Sequence, residues 1–209
     1  WEMVEISVDR MKTAAGAVCG TQVTSASRPV DVFRGVPYGE STAGANRWAA
    51  PVAKAPWSGV LAGTEYGPIC PQPVPTYPSP PPSEDCLSVN LWRPTGTSSD
   101  ANLAVMVFLH GGGFEDGSGS IPLYSGAYLA ASQDVIVVTI NYRLGAIGFL
   151  AGYGGLSGNY GLLDQQLALR WVQDNAAAFG GDPGNVLLFG ESAGAMSTGL
   201  HMLSIPSSK

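Results

Sequence analysis

The rhythm of hydrophobic positions changes along this chain. Over the first ninety or so residues they come in short extended stretches between turn residues, at 4–8, 16–23 and 30–38, which predicts short strands. Residues 66–85 are rich in proline and include Pro80-Pro81-Pro82. Proline has no N–H to give to a ladder, so this segment reads as an extended surface loop or a flexible linker, bracketed by Cys70 and Cys86. After residue 100 the apolar positions become continuous: 103–109 (LAVMVFL), 134–140 (DVIVVTI) and 185–189 (NVLLF). Strands apolar on both faces belong inside a sheet that helices cover on each side. Between the second and third runs, Leu163, Leu167, Trp171, Val172 and Phe179 fall close to one helical stripe, with Asp164 in the first turn. Gly180-Gly181-Asp182-Pro183 then supplies the stop. Strand, helix, strand predicts an α/β fold with a mostly parallel sheet.

Composition narrows the functional classes. Hydrophobic residues make up 45% of the 209 and charged residues 12%, which excludes a disordered chain and suits one domain with an ample core. The net charge of -6, without a basic run, gives no footprint for nucleic acid. The apolar runs are far too short to span a bilayer. His110 and His201 are the only histidines, beside three cysteines, so a zinc site has few ligands to draw on and no metal or cofactor is expected. Neither G-x-G-x-x-G nor a Gly-Lys pair occurs, so the dinucleotide and P-loop fingerprints are missing.

Two glycine motifs carry chemistry. The third apolar run leads into Gly190-Glu191-Ser192-Ala193-Gly194, and an apolar stretch with helical character follows. A serine on such a sharp strand-to-helix turn occupies a strained position suited to a nucleophile. The bland alternative is an ordinary serine in a glycine-rich turn. The first buried run ends in His110-Gly111-Gly112-Gly113-Phe114. Consecutive glycines let backbone N–H groups approach a neighbour closely, and acyl transfer needs donors where the carbonyl oxygen gains charge. One such donor is worth about 3 kcal/mol. A purely structural glycine turn is the alternative here.

These and further motifs resemble the type B carboxylesterase/cholinesterase family of α/β-hydrolases, almost from end to end. The matching segments, in order, are Phe33-Arg34-Gly35-Val36-Pro37-Tyr38-Gly39, Arg47-Trp48-Ala49-Ala50-Pro51, Glu84-Asp85-Cys86-Leu87-Ser88-Val89-Asn90, the HGGGF run, Asn141-Tyr142-Arg143-Leu144-Gly145, Gly158-Asn159-Tyr160-Gly161-Leu162-Leu163-Asp164-Gln165 and the GESAG elbow. The resemblance implies an α/β-hydrolase fold, hydrolysis of a small carboxylic ester, Ser192 as nucleophile, and Gly112, Gly113 and Ala193 as the oxyanion hole. Glu191 would be the carboxylate beneath the site, or else a capping or buried structural acid. Arg47 with Glu84, and Arg143 with Asp164, resemble the family's two structural ion pairs, for which burial is the economical expectation in a chain this poor in charge. Cys70 and Cys86 resemble its first disulfide, which implies an oxidising, secreted or periplasmic location and leaves Cys19 unpaired.

The resemblance also exposes a gap. The family's triad runs Ser, Asp/Glu, His, and neither histidine here suits the last role: His110 ends the oxyanion strand, and His201 lies nine residues beyond Ser192 along the elbow helix. The expectation is therefore an N-terminal part of one catalytic domain, with acid and base on a companion C-terminal segment, either after cleavage near the exposed Ser-Ser-Lys end or by truncation. The loop bracketed by Cys70 and Cys86 carries Tyr77 as its only aromatic and no Trp, so choline esters drop in rank as substrates. A cholinesterase-like adhesion module without turnover is the competing class, and the intact elbow and glycine run speak against it.

Overall fold

A computed structural model describes residues 6, 7, 10–73, 75 and 77–204. The chain runs through β1 (Ile6–Ser7), β2 (Met11–Lys12), β3 (Ala17–Cys19), β4 (Thr21–Ser25), β5 (Arg28–Pro37), β6 (Val60–Ala62), β7 (Ser88–Pro94) and β8 (Leu103–Leu109). It continues through α1 (Ala127–Gln133), β9 (Ile136–Ile140), α2 (Gly145–Phe149), α3 (Tyr160–Asn175), β10 (Gly181–Gly190) and α4 (Ala193–Leu203). Of the alternating stretch expected at 4–8, only β1 falls within the described residues, and the Ser-Ser-Lys end lies outside them.

Seven strands form one sheet in the order β1-β4-β5-β7-β9-β8-β10, and β2, β3 and β6 form a small second one. The expected mostly parallel sheet holds only for β9, β8 and β10. The pairs β1/β4, β4/β5, β5/β7 and β7/β9 are antiparallel, so the sheet is mixed. The connections account for this. Helix α1 links β8 to β9 and α3 links β9 to β10, and parallel neighbours need such crossovers. Between β4 and β5 the chain has only Ala26 and Ser27, with φ of 46° and 60°. Two consecutive left-handed residues make the tight turn whose twist suits a two-residue hairpin.

Alternation sorts the side chains onto two faces. Val30, Val32, Trp92 and Val137 pack with Ala130 and Ala131 of α1. Phe33, Leu91, Val107, Leu109 and Val138 face the other way, toward Leu167, Ala168, Trp171 and Val172 of α3. Helices therefore cover the sheet on both sides, the larger core lying under α3. Helix α4 is tied to α3: Gln165 Nε2 donates to Ser197 Oγ at 3.1 Å, and Gln165 Oε1 meets His201 Nε2 at 2.8 Å. Strand β10 is the outermost strand on its side, and Leu187 on it is exposed, as are Met196, Leu200, Met202 and Leu203 of α4.

Candidate active site

The site forms where β8 and β10, parallel neighbours, both end. Gly190 pairs with Leu109, so the chain leaves both strands at one level. At the end of β10 the backbone turns through Ser192, with φ 52° and ψ -118°, directly into α4. A non-glycine residue in that region is strained and persists only where its surroundings hold it. Gly194 N–H closes the turn by donating to Glu191 C=O at 2.8 Å. The flanking glycines are sterically required. A Cβ on Gly190 would lie 2.5 Å from Gly194 carbon, and one on Gly194 would lie 2.0 Å from Leu109 oxygen. Ser192 is exposed, whereas Ala193 is buried as the first residue of α4.

The glycine run after β8 folds against this turn. A Cβ on Gly111 would meet Glu191 Oε2 at 2.3 Å and Ser192 Cβ at 3.0 Å, so the two motifs are in direct contact. Gly112 C=O accepts from the N–H groups of Glu115 at 2.9 Å and Asp116 at 3.0 Å, which curls the run back on itself. Gly112 and Gly113 have φ of 106° and 61°. Two cavities flank the run. One, of about 100 Å³, is lined by Gln72, Tyr77, Gly111, Gly112, Asp116 and Tyr124. The other, of about 420 Å³, is lined by Gly113, Phe114, Phe149, Asn159, Leu162 and Leu200.

Electrostatics at the site are negative. Burial pushes the Tyr124 hydroxyl above its ordinary pKa, and Glu191, Tyr77 and Asp116 add to that shift. His110 is buried and its pKa drops to about 4, because burial disfavours the imidazolium. Its ring stacks on Tyr142 at 4.3 Å, and Tyr142 O–H donates to His110 C=O at 2.8 Å. His201 faces inward against Gln165, and burial lowers its pKa too. Among the described residues no cluster of His, Cys, Asp or Glu could hold a metal ion.

The remaining expected pairings divide. Cys70 and Cys86 are joined, and Cys19 is free. Arg143 and Asp164 are fully buried and bond through one guanidinium edge, Nε and Nη2 donating to the two carboxylate oxygens at 2.8 and 2.7 Å, while Arg143 Nη1 donates to Ala49 C=O at 2.8 Å. Arg47 and Glu84 pair as expected but not in the interior, because Arg47 keeps 41% of its side chain exposed. Arg47 sits just after the turn Gly44–Asn46, which has no buried residue to cover it. Sequence reading missed a third pair, Arg93 with Asp31 at 3.2 Å, both buried across β5 and β7. It also missed Gln72, Asp116 and Tyr124 around the first cavity, whose only signal was polarity within loops.

The sequence model of the carboxylesterase family matches residues 7–209. Over 206 residues the chain is 46% identical to an acetylcholinesterase of Electrophorus electricus, covering 92% of this chain and 32% of that protein. An acetylcholinesterase of Danio rerio gives the same figures. A para-nitrobenzyl esterase of Bacillus subtilis (strain 168) is 48% identical over 205 residues, covering 94% of this chain and 40% of the relative. The chain thus spans about a third to two fifths of the length of these relatives.

Proposed function

Because this chain belongs to the carboxylesterase family, we propose that the protein it forms part of hydrolyses carboxylic esters, with Ser192 as the nucleophile. The observation that carries this is the backbone of Ser192, φ 52° and ψ -118° at the strand-to-helix turn, with Gly111 pressed against it. Ser192 Oγ would attack the ester carbonyl, forming the new C–O bond as its proton passes to a histidine. The carbonyl oxygen would take the negative charge and receive N–H donors from Gly112, Gly113 and Ala193. Collapse of that intermediate expels the alcohol, which takes the proton, and leaves an acyl-serine. Water then repeats the sequence to release the acid.

The general base and its supporting acid belong in this reading to a segment downstream of α4, continuous with this chain or carried on a companion polypeptide. His110 and His201 are both engaged inside the fold, and burial holds both below the ordinary histidine pKa. The exposed apolar side chains of β10 and α4 offer that segment a surface to pack on. The cavities on either side of the glycine run leave room for both halves of an ester, and Glu191 adds negative charge near Tyr124. The disulfide supports an oxidising location outside the cytoplasm.

The test uses the whole protein. Ser192→Ala should lower kcat on p-nitrophenyl esters by at least about 10³-fold without changing the unfolding midpoint much, and should abolish labelling by a fluorophosphonate probe. Retention of more than a few per cent of kcat would remove Ser192 from this role.

A further inference from the structure

The glycine turn is held at both ends, and one of the holders comes from the proline-rich loop. At its start, His110 is fixed by β8 and by Tyr142, as described. At its end, Gly119 N–H donates to Asn141 Oδ1 at 2.9 Å. Between them, Gln72 grips Gly117 from outside the sheet. Its Oε1 accepts from Gly117 N–H at 3.0 Å, and its Nε2 donates to Gly117 C=O at 2.9 Å and to Cys70 C=O at 3.0 Å. Every donor of the amide is used, and both backbone polar groups of one residue are bound by one side chain.

Gly117 is mechanically close to the donors. Its φ is 105°, and a Cβ there would lie 2.5 Å from Gly111 oxygen and 2.5 Å from His110 Nδ1. A Cβ on Gly112 would in turn lie 2.1 Å from Asp116 Oδ1 and 2.2 Å from Asp116 oxygen. Residues 110, 111, 112, 116 and 117 are therefore in close contact on the side away from the first cavity, so a shift at Gly117 passes by contact to Gly112. Pro71 and Pro73 flank Gln72 and limit its backbone, while Cys70, two residues earlier, is tied to Cys86.

We propose that Gln72 is a positioning residue for the oxyanion-hole turn, through which the loop closed by Cys70 and Cys86 sets the aim of the Gly112 and Gly113 N–H groups. This rests on the reading of those glycines as oxyanion donors. Gln72 also borders the first cavity, but the role assigned to it is exerted through Gly117 and not on Ser192 or the reacting carbonyl. A misplacement of about 1 Å in a catalytic array can cost 10²-fold, and an oxyanion donor is worth 10²–10³ in kcat, so a loosened turn should cost about tenfold.

The experiment compares the whole protein with its Gln72→Met variant, which keeps the side-chain length and removes all three bonds. Gln72→Ala carries the test if the Met variant does not fold. The expected result is a kcat about tenfold lower, a KM within about twofold of the parent, a matching loss of affinity for a trifluoromethyl ketone that mimics the oxyanion, and faster amide hydrogen exchange in the peptide covering 111–118. Unchanged exchange there overturns the proposal, whatever the protein hydrolyses. Faster exchange with unchanged kcat also overturns it, leaving Gln72 a purely structural bond. If Ser192→Ala still turns over ester, the reading beneath the proposal fails while the exchange result stands, so the two failures are distinguishable.

Discussion

Two arginine–carboxylate pairs made of the same groups sit in opposite surroundings. Arg143 and Asp164 join the segment after β9 to α3, both fully buried, with the guanidinium bound to the carboxylate, to Ala49 C=O and over the Tyr160 ring at 5.4 Å. Arg47 and Glu84 join two surface loops, with the arginine stacked against Trp48 at 5.7 Å and open to water on its other side. At the surface water competes for each charge, and Glu84 is held below the ordinary carboxylate range mainly by its bonds to Arg47. Inside, burial pushes the Asp164 carboxyl up and Arg143 pulls it back. A motif that names both pairs thus says nothing of their worth. That follows from the dielectric around them.

The largest effect should come from breaking the inner pair. Arg143→Met leaves Asp164 alone in the core and should cost about 3–5 kcal/mol in urea unfolding, whereas Arg143→Met combined with Asp164→Leu should recover a good part of that loss. A single variant as stable as the parent would show that water reaches Asp164 and that the contrast is false.

His110 sharpens the comparison with a buried group that has no ion partner among the described residues. Its folded pKa is about 4 against an ordinary 6.5. Between those values the unfolded chain binds a proton that the fold refuses, so stability is lost as pH falls through that window. The difference corresponds to about 3 kcal/mol in full, and to about 2 kcal/mol between pH 7 and pH 5. His201 adds in the same direction. Unfolding free energies at both pH values should therefore fall less in His110→Phe than in the parent. Equal falls would mean that His110 is solvated.

The outer pair should give the smallest effect. Arg47→Met should leave the melting temperature within the scatter of repeated runs, and any difference should vanish in 0.5 M salt, which screens exposed charges. A large, salt-insensitive drop would place Arg47 with Arg143 after all.

Legibility followed the same division between what a residue carries and what its neighbours impose. The continuous run at 103–109 is β8 to the residue, and the helical stripe became α3 with the short turn Ala176–Phe179 closing it before Gly180. The elbow was readable because glycines two positions either side of Ser192 answer a local steric demand. Strand pairing was not readable in the first half. Ala26 and Ser27 adopt left-handed backbone without the Gly, Asn or Asp that signals such a turn, so the hairpin of β4 and β5 had no local mark. The pairing of Asp31 with Arg93 depends on the register of β5 against β7, strands separated by about fifty residues of chain, and carried no local mark either. Gln72 was hidden for another reason: its partner lies 45 residues away, and a polar side chain among prolines resembles any surface loop.

The three glycines after His110 do not share one burden. Gly111 and Gly112 are walled in by Glu191, Ser192 and Asp116, so a methyl group at either would have to displace one of those residues. At Gly113 a Cβ would meet nothing within 4 Å, and that residue lines the larger cavity beside Phe114 and Leu200. Only the left-handed φ of 61° opposes an alanine there, at a cost of about 1–2 kcal/mol. The first two positions are therefore closed to variation, while the third is a dial: descendants of this sequence can trade a little stability at residue 113 to resize the cavity beside it without rebuilding the turn that holds it.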